Sequence, residues 1–161
     1  MFAHANTIGG RRSPIPLYSA ASTGGNIGSS DAGKLCVYYG NTAAIYVSPS
    51  SAVTGEGIGI ITTVPSSGID VSSTAPFYAI PILPGDDVFA NFSTATGGST
   101  VIPATTDMGK YISLSTAAGD YANYLAFGTL STAPTTNFAQ FKLLSFDADR
   151  REVRAMYIKN A

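Results

Sequence analysis

The sequence lacks most of the residues from which active sites are built. Its 161 residues include one histidine, one cysteine and no tryptophan, and only 12% of them are charged. The lone Cys36 excludes an intrachain disulfide and a cysteine-based zinc cluster, which suits folding in a reducing cytoplasm. His4 lies in a segment without a periodic apolar face, where a general base would have no fixed orientation. A formal net charge of -1 gives no electrostatic footprint for nucleic acid. No apolar run approaches the roughly 18 residues of a membrane helix, because the most apolar window, Ile58 to Val64, is broken by Gly59 and closed by Pro65. Met1 to Arg12 has no apolar core of the kind a secretory signal needs, so a soluble protein is expected. Helical periodicity is missing too, with apolar spacings of three and four interrupted by Gly, Pro or β-branched runs.

The few groups that could do chemistry sit where structure alone would put them. Asp86-Asp87 and Asp147/Asp149 fall where turns meet strands, the usual place for Asp. Gly55-Glu56-Gly57-Ile58-Gly59 has no following Lys-Ser/Thr and no helix, so it cannot cradle a phosphate. Lys142, Arg150, Arg151, Arg154 and Lys159 gather near the C-terminus, but Asp147, Asp149 and Glu152 are interleaved with them, as on a solvated hairpin. Cys36 alternates within an apolar strand and reads as a buried thiol. The sequence therefore predicts no enzyme, no metal site and no cofactor.

What is present is Gly, Ser, Thr and Ala between short runs of β-branched and aromatic residues. Nine such runs read as strands: 35–39, 44–47, 58–64, 77–83, 88–92, 110–114, 121–127, 138–146 and 152–158. Gly40-Asn41 and Asp147 to Arg151 supply hairpin connections. Pro81 has no N–H, which assigns its strand to an edge or a bulge. In the last strand Val153, Ala155 and Tyr157 share one face, and Glu152, Arg154, Met156 and Ile158 the other. The expected fold is all-β, a small sandwich or barrel of short antiparallel strands with an extended N-terminal arm. The arm covers residues 1–30 and the β domain 31–161, divisible into lobes 31–76 and 77–161. Within the arm, prolines hold Pro14-Ile15-Pro16-Leu17-Tyr18 extended, so that Ile15, Leu17 and Tyr18 are candidates for docking on the chain's own core or on a neighbouring surface.

One internal echo stands out. Ser30-Asp31-Ala32-Gly33-Lys34 and Thr106-Asp107-Met108-Gly109-Lys110 each precede a strand. Ser/Thr-Asp opens a tight turn through side-chain to backbone bonds, and Gly accepts positive φ. Five residues do not establish a repeat, and the recurrence reads as a common turn used twice.

The order of motifs in residues 77–158 resembles the capsid decoration, or cement, proteins of tailed bacteriophages. The motifs are Pro84-Gly85-Asp86-Asp87-Val88-Phe89-Ala90, then Thr106 to Leu114, then Phe141 to Ile158 with its Asp-Ala-Asp turn. The resemblance implies a virion structural protein, made in the host cytoplasm, that binds the outer capsid surface. It further implies the major capsid protein as partner, a homotrimer at threefold positions, and adjacent capsomers clamped together. A low-charge surface suits such contacts, since interface cores are depleted of charge. The alternative is a carbohydrate-binding or adhesive β-sandwich of a tail fibre or cell surface, with the tyrosines as stacking faces. The absence of Trp weighs against it.

Overall fold

The computed structural model describes residues 1–7, 10–19, 27–45, 57–70, 73–93, 103–114, 124–131 and 140–158. Among these, the chain forms β1 (Phe2–Asn6), β2 (Ile15–Ser19), β3 (Leu35–Tyr39), β4 (Thr42–Ile45), β5 (Gly57–Thr63), β6 (Phe77–Ile82), β7 (Asp87–Ser93), β8 (Tyr111–Leu114), β9 (Tyr124–Ser131), β10 (Gln140–Asp147) and β11 (Glu152–Ile158). Two short 3₁₀ turns, Ser29–Asp31 and Thr105–Asp107, are the only helical elements among the described residues. The protein is all-β. Residues 46–47, 121–123 and 138–139 of the expected strands lie outside the described residues.

The strands close into two rings with the same connectivity. The first runs β2-β4-β3-β5-β6 and back to β2. The second belongs to a six-stranded sheet, β1-β7-β11-β10-β8-β9, in which β9 also pairs with β7. In each ring the first strand pairs in parallel with the third, β2 with β4 and β7 with β9, and every other pairing is antiparallel. Correspondence holds residue by residue. Cys36 opposite Gly59 matches Ile112 opposite Phe141, and Ile61 opposite Ala79 matches Leu143 opposite Ala155. Even the irregularity in the fourth strand recurs, between Ile61 and Thr63 and between Leu143 and Ser145. The fold is thus a tandem duplication, and the five-residue echo is the visible remnant of it rather than a chance recurrence. Closing a sheet on itself leaves no long unpaired edge, which suits strands this short.

Burial follows the period of two. In the first barrel Leu17, Cys36, Ala43, Ile61, Phe77 and Ala79 point inward, and Ile27 and Ile69 join them through a two-bond bridge of 2.7 and 2.8 Å. In the second, Val88, Ala90, Ile112, Phe141, Leu143, Val153, Ala155 and Tyr157 fill the interior. Leu35, Ile58, Ile60 and Ile82, with Val37, alternate with the first barrel's interior residues, so they face away from it. They belong to the second barrel's cluster, together with Phe2. This shared cluster is what joins the barrels, and each such aliphatic side chain contributes about 1.5–3 kcal/mol on burial.

Three features differ from the sequence expectation. Within residues 1–30, Phe2–Asn6 pairs with β7, and Ile15–Ser19 is a stave of the first barrel between β4 and β6. Both segments are five residues long, and β2 contains Pro16, so their strand character comes from partners far along the chain. The sheet is not purely antiparallel, because each ring closes through one parallel pair. Finally, Pro81 sits in a strand flanked on both sides. It is tolerated because β2 pairs only with residues 77–79 of β6. At the equivalent Tyr157 the N–H points toward the strand corresponding to β2, bonding the Asp86 carbonyl at 2.8 Å. The donor that Pro81 lacks would therefore have pointed at the approach to β2, beyond the β2–β6 ladder.

Candidate interaction surface

Both members of the echo build the same clasp. In the first, the Gly28 N–H donates to Asp31 Oδ2 (2.7 Å), the Asp31 N–H returns to the Gly28 carbonyl (2.9 Å), and Lys34 Nζ donates to Asp31 Oδ1 (2.5 Å). In the second, the Ala104 N–H donates to Asp107 Oδ2 (2.8 Å), Asp107 N–H to the Ala104 carbonyl (2.9 Å), and Lys110 Nζ to Asp107 Oδ1 (2.8 Å). Gly33 and Gly109 follow with φ of 82° and 81°, a conformation that favours glycine. Their N–H groups tie each clasp to the fourth strand, bonding Ile61 and Leu143 carbonyls at 2.8 Å. Carboxylate, glycine and lysine are each needed for the turn itself. That is sufficient reason for the Ser/Thr-Asp-x-Gly-Lys pattern.

The Lys110 hydrogen bond, helped by the Ala104 N–H, holds the Asp107 carboxyl below its ordinary value of 3.8. The ionised form is therefore favoured in the folded state. Its stabilising effect is complete above 3.8 and is lost as pH falls through the depressed folded value. Asp107→Asn is expected to lower the urea midpoint at neutral pH, and its gap from the parent protein should close as pH drops below 3.8. A gap that is constant with pH would show that the carboxylate charge is not what holds the turn.

A third turn uses the same device. Asp86 accepts the Leu83 N–H at 2.8 Å and returns its own N–H to the Leu83 carbonyl at 2.9 Å. Here Arg12 takes the place of the lysine, gripping the carboxylate with both guanidinium nitrogens, and Asp86 is fully buried. Asp87 next to it pairs with Arg154 through Nη2 (2.5 Å) and Nε (3.1 Å). The Asp147 carboxylate accepts the Asp149 and Arg150 N–H groups at 3.0 Å. Every acidic pair noted in the sequence thus has a structural task. Among the described residues no group of three His, Cys, Asp or Glu could hold a metal. Cys36 is buried, and desolvation pushes its thiol up to about 12, well away from a reactive thiolate. No helix among the described residues is long and apolar enough to cross a membrane.

Of the docking residues expected in the arm, Leu17 is fully buried in the first barrel and has no surface to offer. Ile15 packs against the same cluster and Tyr18 is half-buried. The apolar groups that do reach solvent lie on the outer faces of the barrels. Pro16 is exposed opposite Tyr78, and at the corresponding place in the second barrel Phe89 is exposed opposite Arg154. Tyr39 is exposed at the end of β3, Leu83 and Met108 in connections, and Met1 at the start of the chain. Sequence reasoning missed these because the outward phase of a strand is known only once its partners are.

The first barrel also carries an elaboration without a counterpart. Residues 64–76 join β5 to β6, whereas Ala148 to Arg151 suffice between β10 and β11. Together with the 3₁₀ turn Ser29–Asp31 this connection walls a cleft of about 690 Å³, lined by Ser29, Ser30, Ser66, Ser67, Asp70 and Ser73 among others.

No family model matches the chain, and no curated protein or solved structure matches it.

Proposed function

We propose that this chain is a virion structural protein that decorates the outer surface of a phage capsid and cements adjacent capsomers. The observation that carries the reading is where the resembling motifs fall. The Pro84 to Ala90 turn and strand, the clasp leading into β8 and the β10–β11 hairpin are successive pieces of one barrel. Support also comes from a low-charge surface with exposed Tyr78 and Phe89 at the outer faces of both barrels. Each chain carries two copies of one fold, and a lattice of such chains binds multivalently. A homotrimer at threefold positions is the expected assembly, with the major capsid protein as partner and no catalytic step.

The test is to add the purified chain to expanded shells of its cognate major capsid protein. Saturable co-sedimentation and a raised dissociation temperature of the shell are expected. A chain that leaves the shells bare at saturating concentration would rule the reading out. A second reading, a carbohydrate-binding β protein, draws on the serine-lined cleft of the first barrel. It predicts glycan-array binding that Asp70→Ala abolishes.

A further inference from the structure

The common register brings out one difference between the barrels. In the second, β1 lies antiparallel along β7, placing Phe2 opposite Ala90, Ala3 opposite Phe89 and His4 opposite Val88. Phe2 is buried and stacks on Phe141 with 5.9 Å between ring centroids, and its N–H bonds the Gly33 carbonyl at 2.7 Å. β9 takes the same edge of β7 farther along, at residues 91–93.

In the first barrel β2 corresponds to β7, and Pro14, Ile15, Pro16 and Leu17 correspond to Asp87, Val88, Phe89 and Ala90. Among the described residues no strand pairs with that stretch of the edge. Two hydrogen bonds fix which N–H groups face it. The Asn91 N–H goes to the Met1 carbonyl (3.4 Å), and at the equivalent position the Tyr18 N–H goes to the Asn41 carbonyl (2.8 Å). Strand N–H groups alternate in direction, so the donors facing this edge are those of residues 87 and 89 in β7, and of 14 and 16 along the β2 edge. Both of the latter are prolines, Pro14 just ahead of β2 and Pro16 within it, and both are exposed. The first barrel's edge is sealed against strand addition, whereas β7 keeps its donors and needs a strand to satisfy them.

We propose that the edge of β7 is a strand-acceptor site, and that it takes β1 of a second copy of this chain in exchange for its own. β1 completes the second barrel, yet its chain continues through residues 7–14 into the first. Once released, β1 finds no donors on the β2 edge, so the acceptor that fits it is a vacated β7, either its own or that of another copy. Contacts within the site are the same in either arrangement, which makes exchange a low-cost route to assembly. It requires no capsid, so it stands or falls separately from the decoration reading.

The experiment mixes isotopically light and heavy full-length chains, warms them below the unfolding temperature and follows them by native mass spectrometry. Mixed dimers or larger species are expected, dissociating to single chains in excess synthetic peptide of residues 1–6. The Phe2→Ala peptide should compete roughly tenfold or more weakly, as truncation of a buried aromatic anchor predicts. A chain that stays monomeric at all concentrations overturns the proposal, as does an oligomer that saturating peptide leaves intact. The exposed double substitution Pro14→Ala/Pro16→Ala restores two donors to the β2 edge and should add species larger than the parent's. An unchanged distribution would overturn the sealing of that edge.

Discussion

Arg12→Ala is expected to destabilise the protein by about 3–5 kcal/mol, a fall of about 2–4 °C in melting temperature for each kcal/mol in a chain of this size. The Asp86 carboxylate is fully buried, and the Arg12 side chain is only 16% exposed. Removing the guanidinium leaves the Asp86 anion buried and deprived of its two-nitrogen ion pair. Arg12 also reaches the Pro81 carbonyl at 3.4 Å, so a single side chain ties the entry to β2, the end of β6 and the entry to β7. The internal control is Arg154→Ala. Its side chain is 41% exposed and that of its partner Asp87 11%, against 16% and 0% in the Arg12–Asp86 pair, so water replaces more of what Arg154 supplies and a smaller loss is expected. Asp86→Asn keeps an acceptor for Leu83 while removing the charge, so Arg12→Ala/Asp86→Asn should recover part of the loss. Urea midpoints of the four proteins decide it. Equal losses in Arg12→Ala and Arg154→Ala would sink the claim that burial of the charge makes the clasp strong.

That ion pair also marks where the sequence stopped being legible. The partners stand 74 positions apart, and nothing local in Gly10-Arg11-Arg12-Ser13 marks one arginine as buried. Strands with their own alternation were readable. Val153, Ala155 and Tyr157 are buried and Glu152, Arg154, Met156 and Ile158 partly exposed, as their period of two requires. The Leu35 to Ile45 hairpin was readable from Gly40-Asn41 for the same reason. β1 and β2 were not, because their pairing is dictated by β7, β4 and β6. The duplication was hidden because corresponding positions now carry unlike side chains, Tyr78 against Arg154 and Gly59 against Phe141. The clasps kept theirs, since a turn with a positive-φ glycine, a carboxylate acceptor and a lysine partner admits few substitutes. The surface positions Pro16, Tyr78 and Phe89 depend on which phase of each strand faces outward, a property of the closed ring. The resemblance to decoration proteins drew on turns and strand ends, the part of the chain where local chemistry is strongest.

Phe141→Ala is expected to cost about 3–5 kcal/mol, and the reason lies in the contrast with its counterpart. At Gly59 a Cβ would sit 3.2 Å from both the Ala79 Cβ and the Ile80 carbonyl oxygen, so even a methyl group there would require the first barrel to yield by a few tenths of an ångström. The second barrel holds a whole phenyl ring at the corresponding place, fully buried, between Phe2 (5.9 Å) and Tyr157 (5.6 Å). Aromatic pairs of this kind add about 0.5–1.5 kcal/mol beyond area burial. Truncation empties the space on which both other rings rest, and Phe2 brings β1 with it. The variant should therefore show a lower urea midpoint with an unchanged slope, and faster proteolysis near the N-terminus. Phe141→Leu, which refills most of the volume, should restore the larger part of both. A loss under about 1 kcal/mol would mean that the second barrel can close around the gap as the first one did around Gly59. The two barrels would then be interchangeable in their packing, and Phe2 would not be the plug that makes β7 an acceptor.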